Sequence, residues 1–203
     1  MVERDEPRPA RPEELAALAR VFGAAFAADP MIRWPMPDGT AADDVALFTA
    51  ILTPYVAADA LWTVADHAVA ASPADLAGAA WLPPAVTARL AEMERVTRAQ
   101  IYPLTPDGGA RYDALWDWLG EHAPRQPHWF LDAIAVAPAA QGRGLGRTLV
   151  RHGLALARAD GLPAYLETGR QANVAYYAAL GFSLYDARPA PGGGPMVWFM
   201  TAS

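Results

Sequence analysis

The run Gln141-Gly142-Arg143-Gly144-Leu145-Gly146 carries the clearest chemistry in this sequence. It follows the apolar stretch Trp129 to Val136, which Pro138 closes, and it opens a helical pattern, Gly144 to Asp160, that Gly161 and Pro163 stop. Glycines at such a strand-to-helix turn let the backbone come close to a ligand, and the amides of the loop and first helical turn point one way. With the helix dipole they form a site for an anion such as a pyrophosphate. A dinucleotide-binding fingerprint would need a third glycine where Arg147 stands, and a P-loop would need a lysine. Arg143 and Arg147 either neutralise phosphates through their side chains or stand solvated while only their amides serve.

Two carboxylates are placed to handle protons. Asp132 interrupts the apolar strand on the face that also carries Phe130, Ile134 and Val136, where partial desolvation raises a carboxylate's pKa. It reads as a base or as a structural hydrogen-bonding group, and an extra residue in the strand would turn it away. Glu167 ends the short strand Ala164 to Glu167 and is the second candidate. His128, at the start of the longer strand, is the third and reads as a surface residue.

Other chemistries find little support. The four histidines are dispersed, so no metal is expected. There is no Gly-x-Ser-x-Gly elbow for a serine hydrolase. The sixteen basic residues are all arginine and cysteine is absent, which removes Schiff-base lysines and cysteine nucleophiles alike. A net charge of -6 argues against nucleic acid as the main partner. The first residues mix acids with Arg and Pro and do not read as a secretory signal, and no apolar run suits a membrane helix. The expectation is a cytoplasmic protein without membrane contact.

The elements that must hold these residues follow from periodicity and breakers. Leu15, Leu18, Ala19, Phe22 and Phe26 recur at helical spacing between Pro12 and Asp29-Pro30, and a second Ala-rich helix spans Asp43 to Ala58. Strands are expected at Leu61 to Ala65 and Ala68 to Trp81, joined by a turn at Asp66-His67, with Pro73 to Asp75 as a point of interruption. Residues 82–127 read as a helical insertion between strands, broken by Pro83-Pro84, by Pro103 to Gly109 and by Pro124. Its Tyr102, Tyr112, Trp116 and Trp118 either line a pocket or pack the insertion on the body. Downstream, Asn173 is placed to cap a helix running to Leu180, with Gly181 ending it in the left-handed conformation. Strands at Ser183 to Ala187 and Met196 to Thr201 close the chain. The length suits one domain of residues 1–203.

The spacing Gln-x-x-Gly-x-Gly after Val136-Ala137-Pro138, with Asn173-Val174-Ala175-Tyr176-Tyr177-Ala178-Ala179-Leu180-Gly181-Phe182 downstream, resembles the two signature blocks of the GNAT N-acetyltransferase superfamily. The likeness covers Trp129 to Phe182. More loosely, Phe26…Asp29-Pro30…Trp34 and Ala80-Trp81-Leu82-Pro83-Pro84 are similar to segments of small-molecule members of unassigned substrate. The resemblance implies an α/β fold with a mixed, mostly antiparallel central sheet flanked by helices. Two parallel strands, Trp129 to Val136 and Ala164 to Glu167, splay apart in it to admit the pantetheine arm of acetyl-coenzyme A. It further implies that Ile134, Ala135 and Val136 bind that arm through the backbone, and that Gln141, Gly142, Arg143, Gly144, Leu145, Gly146, Arg147 and Thr148, with Asn173 and Tyr177, complete the cofactor site. Tyr177 matches the tyrosine that protonates the departing thiolate, while Tyr176 reads as packing. Asp132 stands where some members carry a catalytic histidine.

The function so implied is direct acetyl transfer, without a covalent enzyme intermediate, to the amine of a small molecule. Transfer to a peptide or protein amine, a longer acyl donor, and a coenzyme A sensor without turnover stay open, as does a homodimer.

Overall fold

The computed structural model describes residues 6–65 and 76–203. The expected turn at Asp66-His67 and the first part of the strand drawn from Ala68, including Pro73 to Asp75, lie outside the described residues.

The elements run β1 Arg8–Pro9, α1 Leu15–Phe26, α2 Pro30–Arg33, α3 Ala41–Ala57, β2 Leu61–Ala65, β3 Leu76–Leu82, α4 Pro84–Ile101, α5 Ala110–His122, β4 Trp129–Val136, α6 Leu145–Ala159, β5 Ala164–Thr168, α7 Gln171–Ala178, β6 Ser183–Pro189 and β7 Met196–Ala202. The strands form one sheet in the order β1-β2-β3-β4-β5-β7-β6. Its pairs are antiparallel except β4 with β5. This is the mixed, helix-flanked sheet that the two signature blocks implied. Two elements have no counterpart in the sequence reading: the two-residue edge strand β1, and α2, which Asp29 caps by accepting the Met31 amide at 2.9 Å.

Local chemistry accounts for several boundaries. Thr40 and Asp43 form a reciprocal capping box that starts α3. Gly144 (φ 85°) stands at the N-cap of α6, and Gly161 (φ 67°) follows its end. Two further glycines are set by packing: a Cβ on Gly78 would lie 2.9 Å from the Phe22 ring of α1, and one on Gly153 of α6 would lie 2.0 Å from the Trp81 ring. Gly153 therefore bears the ~1 kcal/mol that a mid-helix glycine costs so that Trp81, fully buried, can lie flat beneath α6 and donate its indole N–H to Leu149 O at 3.1 Å.

The sheet separates two helical layers. Gly78, under α1, pairs with Ala135, so Ala135 faces α1; Ile134 and Val136 alternate to the other face, where both approach Gly146 of α6. α3 packs on α1 through the rings of Phe22, Phe26 and Phe48. The stretch between β3 and β4 holds α4 and α5, tied together by Arg98, which bridges Glu94, Asp113 and Asp117.

Candidate active site

β4 and β5 are hydrogen-bonded neighbours only at Trp129↔Ala164 and Phe130↔Tyr165. Beyond Phe130 the strands part, and a cavity of about 1020 Å³ occupies the gap. The parting leaves backbone groups of β4 open on that side. Ala137 N–H is engaged by Leu76 O of β3 at 3.0 Å, so across the same trans peptide the Val136 carbonyl points into the gap, where the Gln141 side chain donates to it at 3.3 Å. By alternation Ile134 presents its peptide groups on the same side, and Ala135, which also lines the cavity, turns its own toward β3.

The glycine loop forms one end of the cavity. Gln141, Gly142, Gly144, Leu145, Gly146 and Arg147 all line it. Gly142 and Gly144 both have positive φ, 76° and 85°, which orients the loop amides as L-residues rarely allow. The first i→i−4 bond of α6 is Thr148 N–H to Gly144 O at 3.0 Å, so the free donors of the first turn are the amides of Leu145, Gly146 and Arg147. Thr148, expected among the cofactor residues, spends its amide on that bond and its hydroxyl on the same carbonyl at 3.2 Å. Neither Thr148 nor Arg143 is among the residues that line the cavity.

α7 supplies the tyrosine. The helix starts at Gln171, two residues before the expected cap, with Arg170 extended at the N-cap. Asn173 therefore lies inside the first turn, and its side-chain amide donates to Thr168 Oγ1 at 3.0 Å, tying α7 to the end of β5. The other end is as expected: Gly181 is left-handed (φ 104°), Phe182 N–H reaches Tyr177 O at 3.1 Å, and Gly181 N–H reaches Ala178 O. This is a Schellman closure, and its accompanying apolar contact is Phe182 edge-on to the Tyr177 ring, with centroids 5.8 Å apart. Tyr177 is thus held by its own helix terminus, buried, with its phenol lining the cavity; burial first, then the neighbouring Tyr176 and Asp29, push its pKa up. Tyr176, read as packing, is 39% exposed, lines the cavity, and places its hydroxyl 3.2 Å from where a Cβ on Gly146 would stand.

The carboxylates meet in the middle. In the β3–β4 register Ala80 pairs with Ala133 and Trp81 with Leu131, so Asp132 is itself the extra residue of a bulge. The bulge does not remove it from the site, because the cavity passes through the gap between the strands. Asp132 lines it, and Tyr55 of α3 donates its hydroxyl to Oδ2 at 2.9 Å. Burial pushes the Asp132 pKa up to about 6, the Tyr55 hydrogen bond opposing. Glu167, across the gap on β5, is pushed up to about 8 by burial and then by the Asp132 charge. Its Oε2 is buried without a hydrogen-bond partner, as is the Tyr165 hydroxyl beside it. His128 lines the rim, edge-on to the Tyr165 ring at 5.2 Å.

Of the four insertion aromatics, Tyr112 and Trp116 line the cavity as a stacked pair, 4.3 Å between centroids. Trp118 packs on Phe199, and Tyr102 donates to Asp113. Tyr55 and Asp29 are lining residues the sequence reading missed. For Asp29 a signal existed, since it precedes the first proline after α1; nothing local distinguishes Tyr55 from the apolar residues around it.

Comparison with known proteins adds a second line of evidence. Residues 105–182 match the model of the Acetyltransferase (GNAT) family. A stretch of 76 residues is 34% identical to the mycothiol acetyltransferase of Renibacterium salmoninarum, covering 34% of this chain and 22% of that protein. The chain thus spans about a fifth of that relative's length. Among solved structures, a protein of Corynebacterium glutamicum described as histone acetyltransferase HPA2 and related acetyltransferase superposes with a TM-score of 0.68 at 24% identity, over 98% of this chain and 96% of that one. The C-terminal condensation domain of Ebony, in complex with beta-alanyl-dopamine, gives 0.65 at 11%, over 99% of both chains.

Proposed function

We propose that this chain, whose residues 105–182 match the GNAT acetyltransferase family, works as a member of that superfamily and moves the acetyl group of acetyl-coenzyme A directly onto the amine of a small molecule. The observation that carries this reading is the juxtaposition, in one cavity, of an open β4 edge, the unspent amides of α6, a buried tyrosine and two carboxylates of raised pKa. The open edge suits an amide-bearing arm laid alongside it as an added strand, and the α6 amides suit its pyrophosphate. Both fit acetyl-coenzyme A as substrate.

The residues then take distinct parts. An amine arriving as the ammonium ion gives a proton to Asp132, which above pH 6 is ionised and is held by Tyr55. The neutral nitrogen attacks the thioester carbonyl, a C–N bond forms, and the C–S bond breaks. The departing thiolate takes the phenolic proton of Tyr177, which burial keeps in place until then, and the surplus proton left on the acetylated nitrogen restores the phenol. The chain holds no cysteine, so no enzyme thioester can carry the acetyl group, which favours direct transfer. Glu167 can exchange roles with Asp132 across the gap.

The loop assignment has a direct test. A side chain at Gly144 must adopt φ 85°, which a β-branched residue resists by roughly 1–2 kcal/mol, so Gly144→Val should turn the α6 amides out of line. Calorimetry should show one acetyl-coenzyme A bound per wild-type chain and none by the folded variant. Unchanged affinity in the variant would remove the loop from the site.

A further inference from the structure

We propose that the acceptor is an ammonium group carried on an aromatic or similarly apolar body, with no carboxylate or phosphate of its own. This rests on the acetyl-transfer reading and narrows it. Among the described residues, four carboxylates line the cavity, Asp29, Glu94, Asp132 and Glu167, against a single arginine, Arg147, which stands at the glycine-loop end. Two of the four are offset by cations from outside the lining: Arg170 lies 3.4 Å from Asp29, and Arg98 lies 2.6 Å from Glu94. Among the described residues, Asp132 and Glu167 have no such partner. These two flank the gap, and Glu167 Oε2 is buried without a formed hydrogen bond, the Tyr165 hydroxyl beside it being equally unpartnered. A buried acceptor atom of this kind costs stability unless something donates to it. An ammonium does so, and an acidic or anionic acceptor would instead add a like charge to a water-poor site.

The walls around that pair select the body of the molecule. The stacked Tyr112 and Trp116 rings of α5 and the Phe130 and Tyr165 rings, stacked at 5.4 Å, all line the same cavity. Such surfaces receive an apolar or aromatic group, and their faces also attract a cation. A polyhydroxylated amine would leave its hydroxyls unpaired against them, which disfavours sugar amines.

The test compares tyramine with tyrosine, which share ring, phenol and amine and differ by one carboxylate. Thiol release at saturating acetyl-coenzyme A should give a kcat/KM about 10²-fold or more higher for tyramine, since like charges brought together in an interface are strongly disfavoured. Phenethylamine should behave as tyramine does, and glucosamine should be a poor acceptor. In Glu167→Gln the tyramine to tyrosine ratio should shrink, whereas loss of a mere base would slow both equally. Trp116→Ala should raise KM for tyramine and leave acetyl-coenzyme A affinity unmoved. Tyrosine or glucosamine preferred over tyramine, with brisk thiol release, would overturn this inference and leave acetyl transfer standing. Bound acetyl-coenzyme A with no amine acetylated would instead overturn the transfer reading itself.

Discussion

Replacing Asp132 with asparagine should stabilise the protein progressively as pH rises while removing the acidic limb of its activity. The folded-state pKa of Asp132 is near 6 against an ordinary 3.8, raised chiefly by burial. A raised carboxylate pKa means the folded chain holds a proton that the unfolded chain has released. The associated stability is fully present below pH 3.8 and is lost as pH rises through 6. Two units or so at 1.36 kcal/mol each amount to roughly 3 kcal/mol, of which roughly 2 to 3 falls between pH 4 and pH 8. Asparagine keeps the carbonyl oxygen that accepts from Tyr55 at 2.9 Å but never ionises, so the loss disappears. Its new amide group carries a cost of its own, and that cost is the same at every pH and cancels in the comparison. Thermal unfolding of wild type and variant across pH 4 to 8 should show the variant gaining about 5–10 °C relative to wild type over that span. Glu167 should also titrate lower in the variant, because the Asp132 charge is one cause of its elevation. A difference in melting temperature that stays flat with pH would refute the buried, proton-holding carboxylate, and with it the assignment of Asp132 as a base tuned by burial.

Two further substitutions probe the neighbours of that carboxylate. Tyr177→Phe keeps the ring and its edge contact with Phe182 but removes the proton, so turnover should fall by about 10² or more, with acetyl-coenzyme A affinity little changed by calorimetry. An unchanged rate under conditions where chemistry limits would return Tyr177 to packing. Tyr55→Phe removes the hydrogen bond that holds the Asp132 pKa down, so the acidic limb of the pH–rate profile should move to higher pH. A limb that stays put would mean that Asp132 does not set it.

The glycine-loop end of the cavity was legible in the sequence because its determinants are local. Gly142, Gly144 and Gly181 mark positive-φ positions, and Pro138 and Pro163 mark element ends, all within a few residues of the atoms they position. The expected strand Trp129 to Val136 and the helix from Gly144 fall where the structure has β4 and α6. Asn173 misled for a physical reason: it is a good capping residue in isolation, yet Arg170 takes the cap with no side-chain bond, and Asn173 reaches Thr168 instead. The carboxylate side of the cavity was opaque because contacts remote in sequence build it. Tyr55 meets Asp132 across 77 residues, and nothing in an Ala-rich helix signals that one hydroxyl will reach a strand so far along the chain. The bulge at Asp132 is similarly tertiary, since alternation within β4 alone gives no hint that β3 slips there.

The most direct measurement is a paired count of products from the purified protein, acetyl-coenzyme A and a panel of amines that includes tyramine, amino acids, sugar amines and peptides. Free coenzyme A thiol would be followed optically and acetylated amine by mass spectrometry. The expected result is one thiol released for each acetylated amine, with a small-molecule amine as the best acceptor and no acetylated protein accumulating. Stoichiometric binding of acetyl-coenzyme A with neither thiol nor acetylated amine above the uncatalysed level, across the whole panel, would contradict the assignment of this cavity as an acetyl-transfer site.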